Sequence, residues 1–288
     1  MTERVNNWGR WGADDQRGAL NLLDSNKTLA ALQLPRTGRV FSIAHPVSRE
    51  APVTATRHPV WHTTAIVHNA KSGRGSADDV VTLHSHSGTH LDALCHYWGE
   101  DLLYNSVPRS TVTSRGASRL SISNVSSIIT RAVFLDFKQL CPVGKEGFGF
   151  EITPAHIETE LARIGLELQP GDALLMRTGW IDTFRSDPAT YNWGEPGISL
   201  AAAEWLCQRD VLLVGADNWG VEAVPPSVAR EGLIVHRTFL NRFGAYILEN
   251  LDLDGLVEAA GPGAYLLVIA PLRIQGGVGS PVNPLVII

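Results

Sequence analysis

The stretch HSHSGTHLDALCH, residues 84–96, gathers four of the chain's ten histidines and an aspartate around one Gly-Thr pair. Just before it, Val80, Thr82, His84 and His86 alternate with Val81, Leu83 and Ser85, a period of two that predicts a strand with His84 and His86 on one face. Ser87-Gly88-Thr89 then breaks the strand. Leu91, Leu94, Cys95 and Trp98 follow at helical spacing, so a buried helix is expected from His90 onward. A carboxylate in such an apolar segment is costly unless a cation or several donors meet it. A divalent ion among His86, His90, Asp92 and His96 supplies that cation; His84 lies outside the spacing and reads as scaffold.

Working outward, short Val-, Ile- and Leu-rich runs bounded by turn formers predict strands at 39–47, 80–86, 132–137, 173–178, 211–215 and 264–274. Thr153 and Pro154 supply an N-cap and a first-turn proline for a helix ending at Gly165, and Ser199 caps a second helix over 200–209. The result is a mixed α/β chain, read as one domain over residues 1–288 with a polar N-terminal arm over about 1–35. The loop-rich segment 187–197, between an expected strand and a capped helix, is placed as a site loop is.

Composition narrows the function. With 288 residues, 44% of them hydrophobic, the chain buries a large core. Only 18% are charged and the net charge is −5, which argues against an electrostatic grip on nucleic acid or an anionic membrane. No apolar run approaches a bilayer-spanning length, and residues 2–7 are polar apart from Val5, so a cytoplasmic protein is expected. Cys95, Cys141 and Cys207 are odd in number and far apart. They read as reduced thiols, so any metal must be held chiefly by His, Asp and Glu.

The order His86-x-Gly88-Thr89-His90-x-Asp92-x-x-x-His96 resembles the signature of the metal-dependent cyclase-like hydrolases, the group that includes kynurenine formamidase and isatin hydrolase. Ala93-Leu94 departs from the x-Pro common after the Asp in kynurenine formamidase, and the arm Asn7-Trp8-Gly9-Arg10-Trp11-Gly12 resembles the longer branch of the family. Tyr104-Asn105, Arg177-Thr178-Gly179-Trp180 and the closing segment from Pro271 to Pro281 extend the likeness over nearly the whole chain.

That resemblance implies a flattened, barrel-like β core flanked by helices, of the swivelling β/β/α type. It implies a homodimer or homotetramer whose N-terminal arms help to build neighbouring surfaces. It also implies that His86, His90 and Asp92 bind Zn²⁺ or Mn²⁺, that Asp92 bridges to a second ion held by His236 and Glu249, and that His96 is the general acid/base. The number of ions, one or two, stays open. The implied reaction is hydrolysis of a C–N bond in an amide, formamide or cyclic amide by activated water. Lactone or ester hydrolysis at the same site is the alternative, and a metal-binding homologue without turnover is a third possibility.

Aromatic rings suit a planar aryl or cyclic amide, which makes Trp61, Trp98 and Trp219 candidates for substrate contact. Asp217 and Glu222, just past an expected strand, are further site candidates. Ser85 and Ser87 beside histidines lack the surrounding sequence of a serine nucleophile, and Cys95 falls on the apolar stripe as packing.

Overall fold

The computed structural model describes residues 4–54, 56–226 and 232–288. Its strands are β1 (Val40–Ser42), β2 (Trp61–Asn69), β3 (Arg74–Thr82), β4 (His90–Asp92), β5 (Val112–Thr113), β6 (Gly116–Ala117), β7 (Ile128–Asp136), β8 (Glu151–Ile152), β9 (Ala173–Arg177), β10 (Gly197–Ile198), β11 (Leu213–Ala216), β12 (Tyr246–Glu249), β13 (Gly263–Ile269), β14 (Gly279–Pro281) and β15 (Leu285–Ile287). Helices are α1 (Ser25–Leu32), α2 (Pro154–Ile164), α3 (Ile181–Ser186), α4 (Pro188–Tyr191), α5 (Leu200–Gln208), α6 (Ile234–His236) and α7 (Asp254–Ala259). Beyond α6 the chain winds on as a π-helix over Arg237–Phe243.

Nine strands form one curled sheet in the order β1-β15-β13-β7-β9-β11-β12-β4-β14. Its centre, β7-β9-β11-β12, is parallel, and those strands read as nearly unbroken apolar runs because both faces are covered. All residues of β11 and β12 are buried. α1 packs on β7 and β13, and α2 packs on β7 and α5. The expected α/β core flanked by helices is thus present, as an open half-barrel.

Local signals placed the helices well. Gly165 closes α2 in the left-handed region at φ 66°, and the Ser199 side chain accepts from Ala202 N to start α5. Several strand boundaries differ from expectation. The run at 39–47 contributes only β1 and a lone bridge from Ala44 to Leu251. β13 ends at Ile269, and Pro271 beyond it has no N–H to extend the ladder. The helix expected from His90 is instead the strand β4, clamped antiparallel between β12 and β14. Burial at Leu91, Leu94 and Cys95 was legible, but Trp98 is 40% exposed and the period is that of a strand.

The N-terminal arm lies along its own chain. Asn7 N donates to Arg242 O, the Trp8 indole donates to Asn241 O, and Arg4 and Arg10 both pair with Asp210.

Candidate metal centre

β3 ends at Thr82, where its partner strand β2 begins opposite at Trp61, so the ladder cannot carry on to His86. His86 lies in the turn that follows, closed by a hydrogen bond from Ser87 N to His84 O. Gly88 takes φ 59°, the left-handed conformation that turns the chain into β4. Thr89 fastens this turn from three sides: its hydroxyl donates to Asn250 O at 2.6 Å, accepts from His45 N, and its carbonyl accepts from Val282 N. His90 Nδ1 lies 2.8 Å from Gly88 O, which fixes the ring and leaves Nε2 for the centre.

Alternation along β4 sends His90 and Asp92 to one face and the fully buried Leu91 to the other. Opposite His90 in the ladder stands Glu249 of β12; opposite Asp92 stands Gly279 of β14. A Cβ on Gly279 would fall 2.6 Å from His86 Nε2, so only glycine lets that ring lie over β14. His236 arrives at the junction of α6 with the π-helix, a widening often found at functional sites.

These side chains converge. Asp92 Oδ1 is 3.2 Å from His86 Nε2 and 3.7 Å from His90 Nε2, while Oδ2 is 3.8 Å from His236 Nε2. Glu249 lies 2.9 Å from His90 Nε2 and 3.1 Å from His236 Nε2. Two sets of three have ligand atoms mutually within 4.8 Å, His86–Asp92–His96 and Asp92–His236–Glu249, and Asp92 belongs to both. His90 stands between the sets. The His96 ring stacks on His86 with centroids 4.0 Å apart, so it faces the cluster although it lies on a turn and not on a helix.

The electrostatics are those of a site built for cations. Asp92 is wholly buried, and neither of its oxygens has a hydrogen-bond partner; His86 Nε2, His90 Nε2 and Glu249 Oε1 are also buried and unpartnered. Burial lifts the Asp92 carboxyl above its ordinary range, against the pull of His96. Burial likewise drives His86 well below 6.5 and His96 down to about 3, so both are neutral imidazoles able to donate a lone pair. At His90 and His236 burial also opposes protonation, but Glu249, joined at His236 by Glu222, overcomes it and holds both above their usual value. Five unpartnered buried donor atoms of imidazole and carboxylate type fit Zn²⁺ or Mn²⁺ well.

Sequence reasoning gave Glu222 no defined role; its carboxylate accepts from His236 Nδ1 at 2.7 Å and from the main-chain N–H groups of Val235 and His236. It therefore caps α6 and aims His236 in one contact, as the outer partner of a metal-ligating histidine would. Asp217 sits elsewhere. It accepts from Thr178 N, Thr178 Oγ1 and Gly179 N, bracing the end of β9. Burial lifts it to about 6 despite those donors. Glu195, missed in the sequence, is also wholly buried and accepts from Trp219 N.

The tryptophans have three different settings. The Trp219 indole donates to Tyr191 O, half-buried beside the turn that carries Glu222. Trp98 is partly exposed with the Arg109 guanidinium over its ring. Trp61 begins the exposed β2. Ser85 Oγ lies 3.1 Å from His86 Nδ1 and so steadies that ring. Burial pushes the Cys95 thiol up to about 12, which suits a packing residue and not a nucleophile.

The family model described as "Putative cyclase" matches residues 41–223, well over half of the chain. The chain belongs to the putative cyclase family. A crystal structure described as a novel cyclase is 34% identical, covers 99% of this family member and all of that chain, and superposes with a TM-score of 0.88. An isatin hydrolase of Roseibium aggregatum is 27% identical over 254 residues, 84% of this chain and 87% of its own. The crystal structure of an isatin hydrolase bound to the product analogue thioisatinate, 20% identical, covers 92% of this cyclase-family chain and 99% of its own with a TM-score of 0.67, a likeness of fold. Among the described residues no helix is long and apolar enough to cross a membrane.

Proposed function

We propose that this protein is a metal-dependent hydrolase that opens the C–N bond of an amide, formamide or cyclic amide. One observation carries the reading: a fully buried aspartate, unpartnered at both oxygens, stands amid four imidazoles and a second carboxylate. Leaving such a carboxylate without a cation costs several kcal/mol, about 3–5 by analogy with broken buried pairs. His86, His90 and Asp92 would hold one ion, and Asp92, His236 and Glu249 a second. A divalent ion, when bound, polarises a carbonyl and acidifies water.

The remaining work falls to the chain. An amide nitrogen leaves poorly unless protonated, so a base that takes a proton from water and returns it to nitrogen is required. His96 suits that role by position: its ring stacks on His86 and faces the cluster, and it is a neutral imidazole with a lone pair free to take a proton. Glu222 keeps His236 oriented. Trp98 and Trp219 flank the centre in sequence and offer aromatic faces to a planar substrate; Trp61 would reach one only from the exposed β2. The relative named isatin hydrolase favours a cyclic aryl amide as the substrate class.

A panel of N-formyl anilines, isatin-like lactams and aryl lactones, assayed with the Zn- and Mn-loaded protein, tests the reading. Hydrolysis of at least one C–N substrate, abolished by chelation, is expected. Hydrolysis of lactones alone would replace the C–N assignment, and no turnover with either metal across the panel would remove it.

A further inference from the structure

Partly burying a guanidinium or an ammonium strips water from a charge, and a folded chain returns an acceptor for it, most often a carboxylate. Among the described residues nine arginine and lysine side chains are half-buried, and eight of them are paired with a carboxylate at 3.8 Å or less. Arg57 is the ninth. Its one side-chain hydrogen bond runs from Nη1 to the main-chain oxygen of His86, at 2.5 Å. The Nε–Nη2 edge keeps its two parallel N–H groups, which have no acceptor among the described residues and are open to solvent.

The place of this arginine ties it to the candidate metal centre. Its segment is bound to the turn that carries His86: Gly88 N donates to Pro52 O, Arg57 N donates to Thr54 O, and a Cβ on Gly88 would touch that of Ala51. The guanidinium is therefore held beside His86, near enough to oppose protonation of its ring after burial and His90 have done so. One residue further on, Ser87 Oγ is buried and also lacks a partner. The turn thus offers a cation and a hydroxyl to an acceptor that the described protein does not supply. Divalent ions in the centre would add to the positive charge there, so an anion is the missing partner. A planar carboxylate, with two oxygens for two parallel N–H groups, matches the free edge.

We infer, resting on the hydrolase reading, that Arg57 determines specificity: the substrate is an amide that carries a carboxylate of its own, and the Nε–Nη2 edge of Arg57 receives that carboxylate while the amide carbonyl meets the centre. Hydrolysis breaks the acyl C–N bond. Water gives its hydroxyl to the acyl carbon and its remaining proton to the nitrogen, and the carboxylate on Arg57 passes through the reaction unchanged.

The test compares N-formylaniline with its ortho-, meta- and para-carboxylates as substrates of the full chain loaded with Zn or Mn. At least one carboxylate isomer should exceed the neutral parent about tenfold or more in kcat/KM, most of it through KM, as a charge-assisted bidentate pair provides. Arg57→Gln should bring that ratio close to one, and Arg57→Lys, which keeps the charge but not the fork, should retain only part of it. Elemental analysis of each variant shows that the turn still holds metal; should Arg57→Gln lose it, Arg57→Lys decides. A wild type that prefers the neutral parent, or a ratio that the metal-loaded variants leave unchanged, would overturn the proposal. If the wild type cleaves none of the four, calorimetric titration of the loaded chain with the same carboxylates separates the two readings. A dissociation constant raised about tenfold by Arg57→Gln keeps the anion site although the hydrolase reading fails, and an unchanged constant removes both.

Discussion

Three side chains carry separate parts of the account. His96→Ala should lower kcat by about 10² or more, the usual worth of a general acid/base. Asp92, His236 and Glu249 are untouched by that change, so at least one ion should remain by elemental analysis. Glu222→Gln keeps the size of the side chain but removes the charge behind His236. Metal affinity should fall about 10- to 100-fold in chelator competition, without loss of folding. Asp217→Asn is expected to behave differently, because the amide nitrogen it introduces would face a main-chain N–H, donor to donor, at Thr178 or Gly179. It should cost about 1–3 kcal/mol in denaturant unfolding and leave metal content unchanged.

At the scale of elements, β4 shows why the site was easier to read than its scaffold. The cluster spacing grouped His86, His90, Asp92 and His96, and in the fold two residues along a strand and a tight turn beyond it bring those side chains to one place. The helix expected there failed because burial on both faces erases the alternation that marks a strand. Pairing with β12 and β14, distant in sequence, decided the conformation. Glu222 was weakly legible for a related reason: its task depends on α6 meeting the turn after β11, a contact no local pattern encodes. The parallel centre and the capped helices α2 and α5 were legible because apolar runs, Pro154 and Ser199 act locally. Gly279→Ala is the matching test of an element. Its new Cβ would collide with His86 Nε2, so the ring must move, and metal binding should be lost from the His86 side while β14 still pairs.

For the whole molecule, the centre couples stability to metal and to pH. Without metal, Glu249 holds His90 and His236 above the ordinary histidine value, favouring their protonated forms, and is itself held well below the usual carboxylate range by those histidines despite burial. Because the folded histidine values exceed the unfolded one while that of Glu249 lies below its own, this pairing stabilises the metal-free chain fully only between the ordinary carboxylate range and about pH 6.5; it is lost as pH falls through the lowered carboxylate value and as it rises through the raised histidine values. An ion must displace the same protons, so metal affinity should climb with pH through that range, with proton release measurable by calorimetry in buffers of differing ionisation enthalpy. Affinity independent of pH would mean that these histidines are not ligands. Bound metal should also raise the thermal midpoint in proportion to the logarithm of its free concentration.

The most direct measurement is a single preparation followed through metal analysis, exhaustive chelation and reloading, with hydrolysis of an isatin-like lactam or an N-formyl aniline recorded at each stage. One or two Zn or Mn ions per chain, activity lost on chelation and regained on reloading, and no metal-dependent activity in His86→Ala are the predicted results. A metal-free protein with full C–N hydrolysis, or a His86→Ala variant as active as the wild type, would contradict the account.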